Sequence, residues 1–318
     1  MTNPLTRILC GAALFAPQLA LAQTAPLQIE VLDTLVLGEP RVDGLKIAEL
    51  SGLAYDQQNK LLYAVSDKGR IFSFSLDLTG DRIAGLTPLS GHQLRDSSGN
   101  EIRYSGFNAE GIALADDGTL SIVSEHGPRI ARFSADGTWL ADLAVPAAVS
   151  DPAAQRSEKD GLESLAHHPE LGLMTAPEEP LAAQPRTTQT IHAASGEEFS
   201  YDTAEIGTTS IKSLEALPDG RLMILERDVA ATDGSLIPWL RVLDPANCTA
   251  GQLCTTQVAR IDLPNISDAD FEGLAQLSDD LFLIVSDDKI GKDHRSVFAL
   301  LRVNTAPKGQ SSDTPPAQ

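Results

Sequence analysis

Pairs of acidic residues recur along this chain at a nearly constant spacing. Three pairs are fifteen positions apart, and in a fourth place a serine precedes an acid by sixteen: Glu110–Glu125, Glu163–Glu178, Glu272–Asp287 and Ser51–Asp67. Crowded carboxylates repel one another, and burying them is costly unless a cation compensates their charge. Oxygen ligands without a Cys or His cluster suit a hard cation, and Ca²⁺ accepts roughly six to eight of them. The spacing therefore predicts a divalent cation site, with Ca²⁺ as the expected ion.

Seven acids are candidate ligands for this cation: Glu110, Glu163, Glu215, Glu272, Asp287, Glu125 and Asp67. Glu110 and Glu272 are also predicted to act in catalysis. His126 is the third catalytic candidate, because an imidazole can serve as a general acid or base. The alternative is that the acids cap strands and accept backbone hydrogen bonds.

Basic residues accompany the acids. Arg227, in LMILERD, stands where the other copies of this pattern have an acid, while Lys159 and Lys212 lie just ahead of the first acid and Lys289 follows Asp287. Fixed cations beside a metal can hold a phosphate or carboxylate. These four residues are therefore predicted to bind a small anionic substrate, and charge balance on a solvated rim is the alternative. No Gly-x-Ser-x-Gly motif or obvious Ser-His-Asp arrangement accompanies them.

The acids belong to a repeated phrase that reveals the elements that carry them. An acid or serine, a small residue, a branched apolar residue and usually alanine recur at Ser51, Glu110, Glu163, Glu215 and Glu272, in steps of 59, 53, 52 and 57 residues. Each copy continues with a turn, an apolar strand such as LLYAVS or LFLIVS, and further alternating segments. A unit of several short strands at this period is typical of a β-propeller blade.

The repeats predict an all-β protein with five blades, and a degenerate sixth stays open. Small residues in the phrase suit innermost strands that crowd around the axis. The last copy offers three strands, so residues 27–38 (LQIEVLDTLVLG) are expected to add the fourth and close the ring. A hairpin brings both acids of a pair to the same end of a blade, which would gather them at one mouth of the central channel.

Composition excludes some classes of function. The formal net charge of the 318-residue chain is −20, which argues against nucleic acid or an anionic membrane as a partner. Residues 1–22 have the pattern of a signal peptide cleaved after Ala22, which predicts a periplasmic or secreted protein without membrane insertion. Residues 23–303 would form the propeller, expected as a monomer, and the Pro-rich residues 304–318 a disordered tail. In an oxidising compartment, Cys248 and Cys254 are expected to form a local disulfide.

Four segments resemble the phytase-like family, also called esterase-like activity of phytase: EGIA, GLESLA, SIKSLEALPDGRLMILERD and DFEGLAQLSDDLFLIVSDD. The resemblance runs from about Leu50 to Val303. It implies a β-propeller in an exported bacterial protein and a link to calcium-dependent phosphomonoester hydrolysis. The positions that match acids and cations of such a cleft are Glu110, Glu163, Glu215, Glu272, Asp287 and Arg227.

The leading hypothesis is an exported, metal-dependent hydrolase of phosphoesters or related esters, with its site at the acid-lined mouth. A non-catalytic propeller that binds a ligand or protein, with a structural cation, is the first alternative, because fold alone does not decide function. A lactonase-type esterase is the second.

Overall fold

A computed structural model describes residues 26–38, 40–104, 106–157, 159–263, 266, 269–287 and 295–305. The predicted signal peptide, Lys289 and nearly all of the predicted tail lie outside these residues. Within them the regular secondary structure is β-strand apart from 3-10 turns at Ala147–Val149, Pro152–Ala154 and Pro245–Asn247. None of the described segments is a helix long and apolar enough to cross a bilayer.

The chain forms twenty-two strands within the described residues. They are β1 Gln28–Leu37, β2 Arg41–Val42, β3 Leu45–Lys46, β4 Leu50–Asp56, β5 Leu61–Ser66, β6 Arg70–Thr79, β7 Arg82–Gln93, β8 Ala109–Leu114, β9 Leu120–Ser124, β10 Arg129–Phe133, β11 Trp139–Leu143, β12 Leu162–His168, β13 Gly172–Pro177, β14 Thr188–Ala193, β15 Glu198–Asp202, β16 Ser210–Ala216, β17 Leu222–Val229, β18 Leu236–Leu243, β19 Thr256–Arg260, β20 Asp270–Gln276, β21 Leu281–Asp287 and β22 Ser296–Asn304.

Five four-stranded antiparallel sheets form the blades of a β-propeller. Blade 1 is β4 to β7, blade 2 is β8 to β11, blade 3 is β12 to β15, blade 4 is β16 to β19, and blade 5 has the order β1-β22-β21-β20. The first strand of each repeat is innermost, and β4, β8, β12, β16 and β20 each contact the next around the ring, with β20 against β4. The prediction of five blades is confirmed, and the described residues form no sixth.

The N-terminal strand closes the ring as predicted. β1 pairs antiparallel with β22, from Gln28 opposite Asn304 to Leu37 opposite Ser296. It therefore supplies the outer strand of blade 5, which joins the two ends of the described chain. The predicted disulfide between Cys248 and Cys254 is also present, in the loop that connects β18 and β19.

Close approach of the inner strands explains the small residues of the phrase. A Cβ atom on Gly52 would lie 2.4 Å from the Glu110 carbonyl oxygen, and one on Gly111 would lie 2.6 Å from the Leu165 nitrogen. Larger side chains at these positions would push neighbouring blades apart. The apolar residues of the second and third strands fill the space between blades; Phe74 of blade 1, for example, contacts Phe298 of blade 5 edge to face.

Candidate functional site

Every inner strand has an irregular pairing near the same end. The register shifts at Ser51 in β4, around Glu110 in β8, at Glu163 in β12, at Lys212 in β16 and at Glu272 in β20. A β-bulge re-aims the side chain of the extra residue. The five bulges therefore put these residues at equivalent positions around one end of the channel, called the mouth below.

The prediction that Glu215 shares this ring is wrong. Strand pairing aligns Lys212-Ser213-Leu214-Glu215 with the other copies, so Glu215 takes the place of their alanine. It lines a separate cavity of about 170 Å³ with residues such as Ala54, Ala113 and Ala166. Glu215-Ala216-Leu217 fits the residue types of the repeated phrase, but the β-bulge that defines the ring position lies three residues earlier, at Lys212.

The pKa of Glu215 is raised in this cavity. Burial raises its pKa to about 8, and a hydrogen bond with the Gln276 backbone lowers it only in part. Many protein atoms surround the carboxylate, but the residue as a whole is only partly shielded from solvent.

The second strand of each blade brings another charged residue to the mouth. Leu50, Ala109, Leu162, Ile211 and Phe271 pair with Ser66, Ser124, Pro177, Glu226 and Ser286. The next residues are Asp67, Glu125, Glu178, Arg227 and Asp287. Arg227 thus occupies the acid position of its blade, as predicted. Blade 4 keeps the spacing of fifteen, but its pair is Lys212–Arg227, two cations.

Lys212 lies in the middle of the acids and is only 4% exposed. Its Nζ atom is 2.6 Å from Glu163 Oε1, 2.9 Å from Glu178 Oε1 and 3.3 Å from Glu272 Oε1. Burial opposes its charge, but these carboxylates raise the pKa of Lys212 well above its usual value. Its ammonium therefore stays charged and joins blades 3, 4 and 5.

Arg227 closes the rim of blade 4. Its Nη2 donates to Glu178 Oε1 at 2.9 Å and its Nη1 to Asp270 Oδ2 at 2.5 Å. Its side chain is 22% exposed, so Arg227 is the more accessible of the two cations. Burial acts to raise the pKa of Glu178, but Lys212 and Arg227 outweigh it and hold that pKa below its ordinary value.

Glu110 is the ring acid without such a partner. It is 6% exposed and has no hydrogen bond or ion pair to any described residue. Burial, and then the charges of Glu163, Glu272 and Glu125, raise its pKa well above the usual value. Burial likewise raises the pKa of Glu163 to about 8. An added positive charge at the mouth would reverse these shifts.

Three acids come close enough to share one cation. Oxygens of Glu125, Glu163 and Glu178 lie within 4.8 Å of one another. Glu125 is held from behind by Asn108, whose Nδ2 donates to Oε2 at 2.5 Å. The donors are carboxylates only, the kind of set that Ca²⁺ prefers.

His126 stands on the rim between blades 1 and 2. Its Nδ1 is 3.0 Å from the Tyr104 carbonyl oxygen, which can only accept, so Nδ1 carries the hydrogen. The other ring nitrogen, Nε2, is then an acceptor in the neutral imidazole. The Tyr104 ring meets His126 edge to face at 5.0 Å, and Lys68 Nζ lies 4.8 Å from the centre of the same ring.

The remaining predicted residues lie around this centre. Asp67 and Asp287 are buried, at 0% and 5% exposure, while Lys159 is exposed in the loop before β12.

The predicted ligand set left out Glu178, although the spacing of fifteen identifies it. It also left out Asp270, which stands two positions before Glu272, as Asn108 stands before Glu110. That shared offset of two residues is the signal in the sequence that would have identified Asp270.

The sequence model of the phytase-like family, described as esterase-like activity of phytase, matches residues 46–289. The chain belongs to this family. A search of curated proteins gave no match.

Solved structures with a similar fold have low sequence identity to this chain. The PQQ-bound aldose sugar dehydrogenase of Streptomyces coelicolor is 13% identical, with a TM-score of 0.46 over 88% of this chain and 100% of its own. A catalytically inactive virginiamycin B lyase of Staphylococcus aureus with quinupristin is 10% identical, with a TM-score of 0.42 over 86% and 99%. A luciferin-regenerating enzyme is 12% identical, with a TM-score of 0.41 over 87% and 95%. Likenesses of this kind say nothing about the chemistry of the mouth.

Proposed function

We propose that this protein is a divalent-cation-dependent hydrolase of phosphoesters or related esters, with Ca²⁺ as its ion and the mouth as its active site. The observation that carries the proposal is Glu110, a buried carboxylate without a hydrogen bond or ion pair among the described residues and ringed by other acids. Such a group needs either a proton or a cation. Membership of the phytase-like family favours phosphomonoester hydrolysis among the reactions open to such a site.

The acids of blades 2, 3 and 5 are the residues that would hold the ion. Glu110, Glu163 and Glu272 come from the inner strands, and Glu125 comes from the end of β9. When bound, a divalent cation polarises a phosphoryl oxygen and lowers the pKa of a coordinated water. Arg227, partly exposed on the rim, would contribute a second positive charge for the anionic group.

Hydrolysis also requires two proton movements. The bond formed joins water to phosphorus, and the bond broken joins phosphorus to the ester oxygen, so the water loses a proton and the leaving alkoxide gains one. His126 can carry out both movements in turn: with Nδ1 donating to the Tyr104 carbonyl, Nε2 would accept the proton that the water loses and then give it to the leaving alkoxide. Glu110 would hold the ion instead of taking this proton, because a bound cation counteracts the shift that makes its carboxylate more basic.

The test is hydrolysis of p-nitrophenyl phosphate by the purified full chain, with Ca²⁺ and with EGTA. We expect turnover that requires Ca²⁺ and that falls at least about 100-fold in Glu110→Gln, the scale of losing a positioned catalytic group. Glu215→Gln is the matched control, because it makes the same change outside the ring, and it should keep its activity. Turnover that is unchanged by EGTA, or full activity in Glu110→Gln, would overturn the proposal.

A non-catalytic propeller with a structural cation is the second candidate. The observation that favours it is that Lys212 and Arg227, the cations that blade 4 places at the mouth, already contact protein carboxylates, which leaves less positive charge for an anionic substrate. Bound Ca²⁺ without turnover, and a large loss of melting temperature on chelation, would establish this alternative.

Export is proposed from the sequence of residues 1–22. If this segment is a signal peptide, the N-terminal residue of protein recovered from the periplasm or medium should be Gln23. Recovery of the uncleaved chain from the cytoplasm alone would contradict it.

A further inference from the structure

An ammonium group already lies where the acids could hold a metal ion. The oxygens of Glu125, Glu163 and Glu178 are within 4.8 Å of one another. Two of these three carboxylates are bound by Lys212, at 2.6 Å and 2.9 Å. Because Lys212 is 4% exposed and contacts acids from two neighbouring blades, it cannot move aside without leaving a charge buried and unpaired.

The strand register explains how the lysine comes to be there. Lys212 is the bulged residue of β16, equivalent to Glu163 of blade 3 and Glu272 of blade 5. A fourth glutamate at this position would extend the ring of ligands into blade 4. A lysine instead brings its charge into the ring, which reduces the number of divalent ions needed for neutrality.

Glu110 is the ring carboxylate that the ammonium does not contact, although the charge of Lys212 still acts to lower its pKa. Lys212 contacts Glu163, Glu178 and Glu272, whereas Glu110 makes no ion pair with any described residue. A divalent ion is attracted most strongly to the carboxylate that lacks a cation, and it is repelled by an ammonium a few ångströms away. A divalent ion bound at Glu110 would therefore occupy a different part of the mouth from the ammonium of Lys212.

We propose that Lys212 takes the place of one divalent cation, so that its removal raises by one the number of divalent ions that the mouth binds. This inference rests on the proposed function, since it assumes that the mouth binds such ions. It assigns Lys212 a positioning and charge-balancing role in place of the substrate contact that its sequence position suggests.

The experiment counts Ca²⁺ ions bound to the full chain by calorimetric titration after dialysis against EGTA. Lys212→Gln should bind one more ion than the unaltered protein, with a dissociation constant below about 1 mM, the weak end of protein calcium sites. Lys60→Gln is the matched control: it removes the same charge from an exposed turn at the other end of blade 1 and should leave the number unchanged. Lys212→Arg keeps the charge and should also leave it unchanged.

The difference between variant and unaltered protein decides the inference. Equal numbers of ions in the unaltered chain and in a folded Lys212→Gln chain would overturn it. If Lys212→Gln does not fold, the unaltered chain still provides a test. Two or more Ca²⁺ ions bound to the unaltered chain, and none bound to Glu110→Gln, would show that Lys212 does not limit the number of ions that the mouth binds. An unaltered chain that binds no ion, beside a Lys212→Gln chain that binds one, would refute the proposed function and support the inference.

Discussion

Replacing Glu215 by glutamine tests whether this residue lies at the mouth, as the repeated phrase suggests, or outside it, as the strand pairing of β16 indicates. If Glu215 were a ligand at the mouth, Glu215→Gln would weaken Ca²⁺ binding. Because it lies three residues further along β16, in a different cavity, we expect its Ca²⁺ affinity to stay within about twofold of the unaltered protein, a free-energy change well below the 1.4 kcal/mol of a tenfold effect.

The same substitution should change stability in a pH-dependent way. The folded-state pKa of about 8 lies above the ordinary value of 4.5, so the native state holds this proton more tightly than the unfolded state does. Stability from this group is fully present below pH 4.5 and is lost as the pH rises through 8. The ceiling is about 5 kcal/mol, at about 1.4 kcal/mol per tenfold change in proton affinity. Because solvent reaches the cavity, we expect about 2 kcal/mol.

Urea unfolding at pH 5, 7 and 9, in EGTA, measures this difference. Glutamine cannot ionise, so Glu215→Gln should resemble the unaltered protein at pH 5 and exceed its free energy of unfolding by about 2 kcal/mol at pH 9. Glu170→Gln, on an exposed turn, is the control for the loss of one negative charge. A difference that does not vary with pH, or a loss of Ca²⁺ affinity in Glu215→Gln, would refute the assignment.

Three further predictions concern the ring and its supports. Calcium should raise the melting temperature more at pH 8 than at pH 5.5, because burial raises the pKa of Glu163 to about 8 and protons compete with the ion below it; an equal rise at both pH values by scanning calorimetry would contradict this. Gly111→Ala should destabilise the fold by about 3 kcal/mol or more in urea unfolding, since its Cβ would meet the next strand at 2.6 Å, while Gly85→Ala, with ordinary contact at 3.5 Å, should be tolerated; equal effects would show that the inner strands yield. Arg241→Met should cost about 3–5 kcal/mol at pH 7, because it removes the 2.9 Å partner of the fully buried Glu226, and less at pH 5, where Glu226, whose pKa burial raises, takes up a proton; a cost that does not depend on pH would refute that account.

The architecture was predictable from the sequence because its signals are local. Alternation within strands, turns between them and a recurring phrase identify blades without knowledge of long-range contacts. Ring closure by β1 followed from counting strands in the last copy, and the pairing of Gln28–Leu37 with β22 confirms it. The acid-to-cation exchange at Arg227 was also visible, because it falls at the end of a recognisable strand.

The register of blade 4 was not predictable from the phrase alone. KSLE and EALP both fit a pattern of four residue types, and only the pairing of β16 with β17 decides between them. The spacing of fifteen would have decided it as well: counted back from Arg227, it arrives at Lys212. The ion pairs of Lys212 could not be predicted, because its partners Glu163 and Glu272 are 49 and 60 positions away and meet it only when blades 3, 4 and 5 are assembled.

The replacement of two acids by cations in blade 4 makes the charge distribution of the mouth asymmetric. Four blades place acids at the end of their second strand, whereas blade 4 places Lys212 and Arg227 at both of its positions. A symmetric ring of acids would attract cations and repel any anion. In this chain the cations at the ring positions, Lys212 and Arg227, both belong to blade 4, whereas Glu110, which makes no ion pair with any described residue, belongs to blade 2. An anion that bridges a cation near Glu110 and the guanidinium of Arg227 would therefore have one preferred orientation, as hydrolysis of a single ester bond requires.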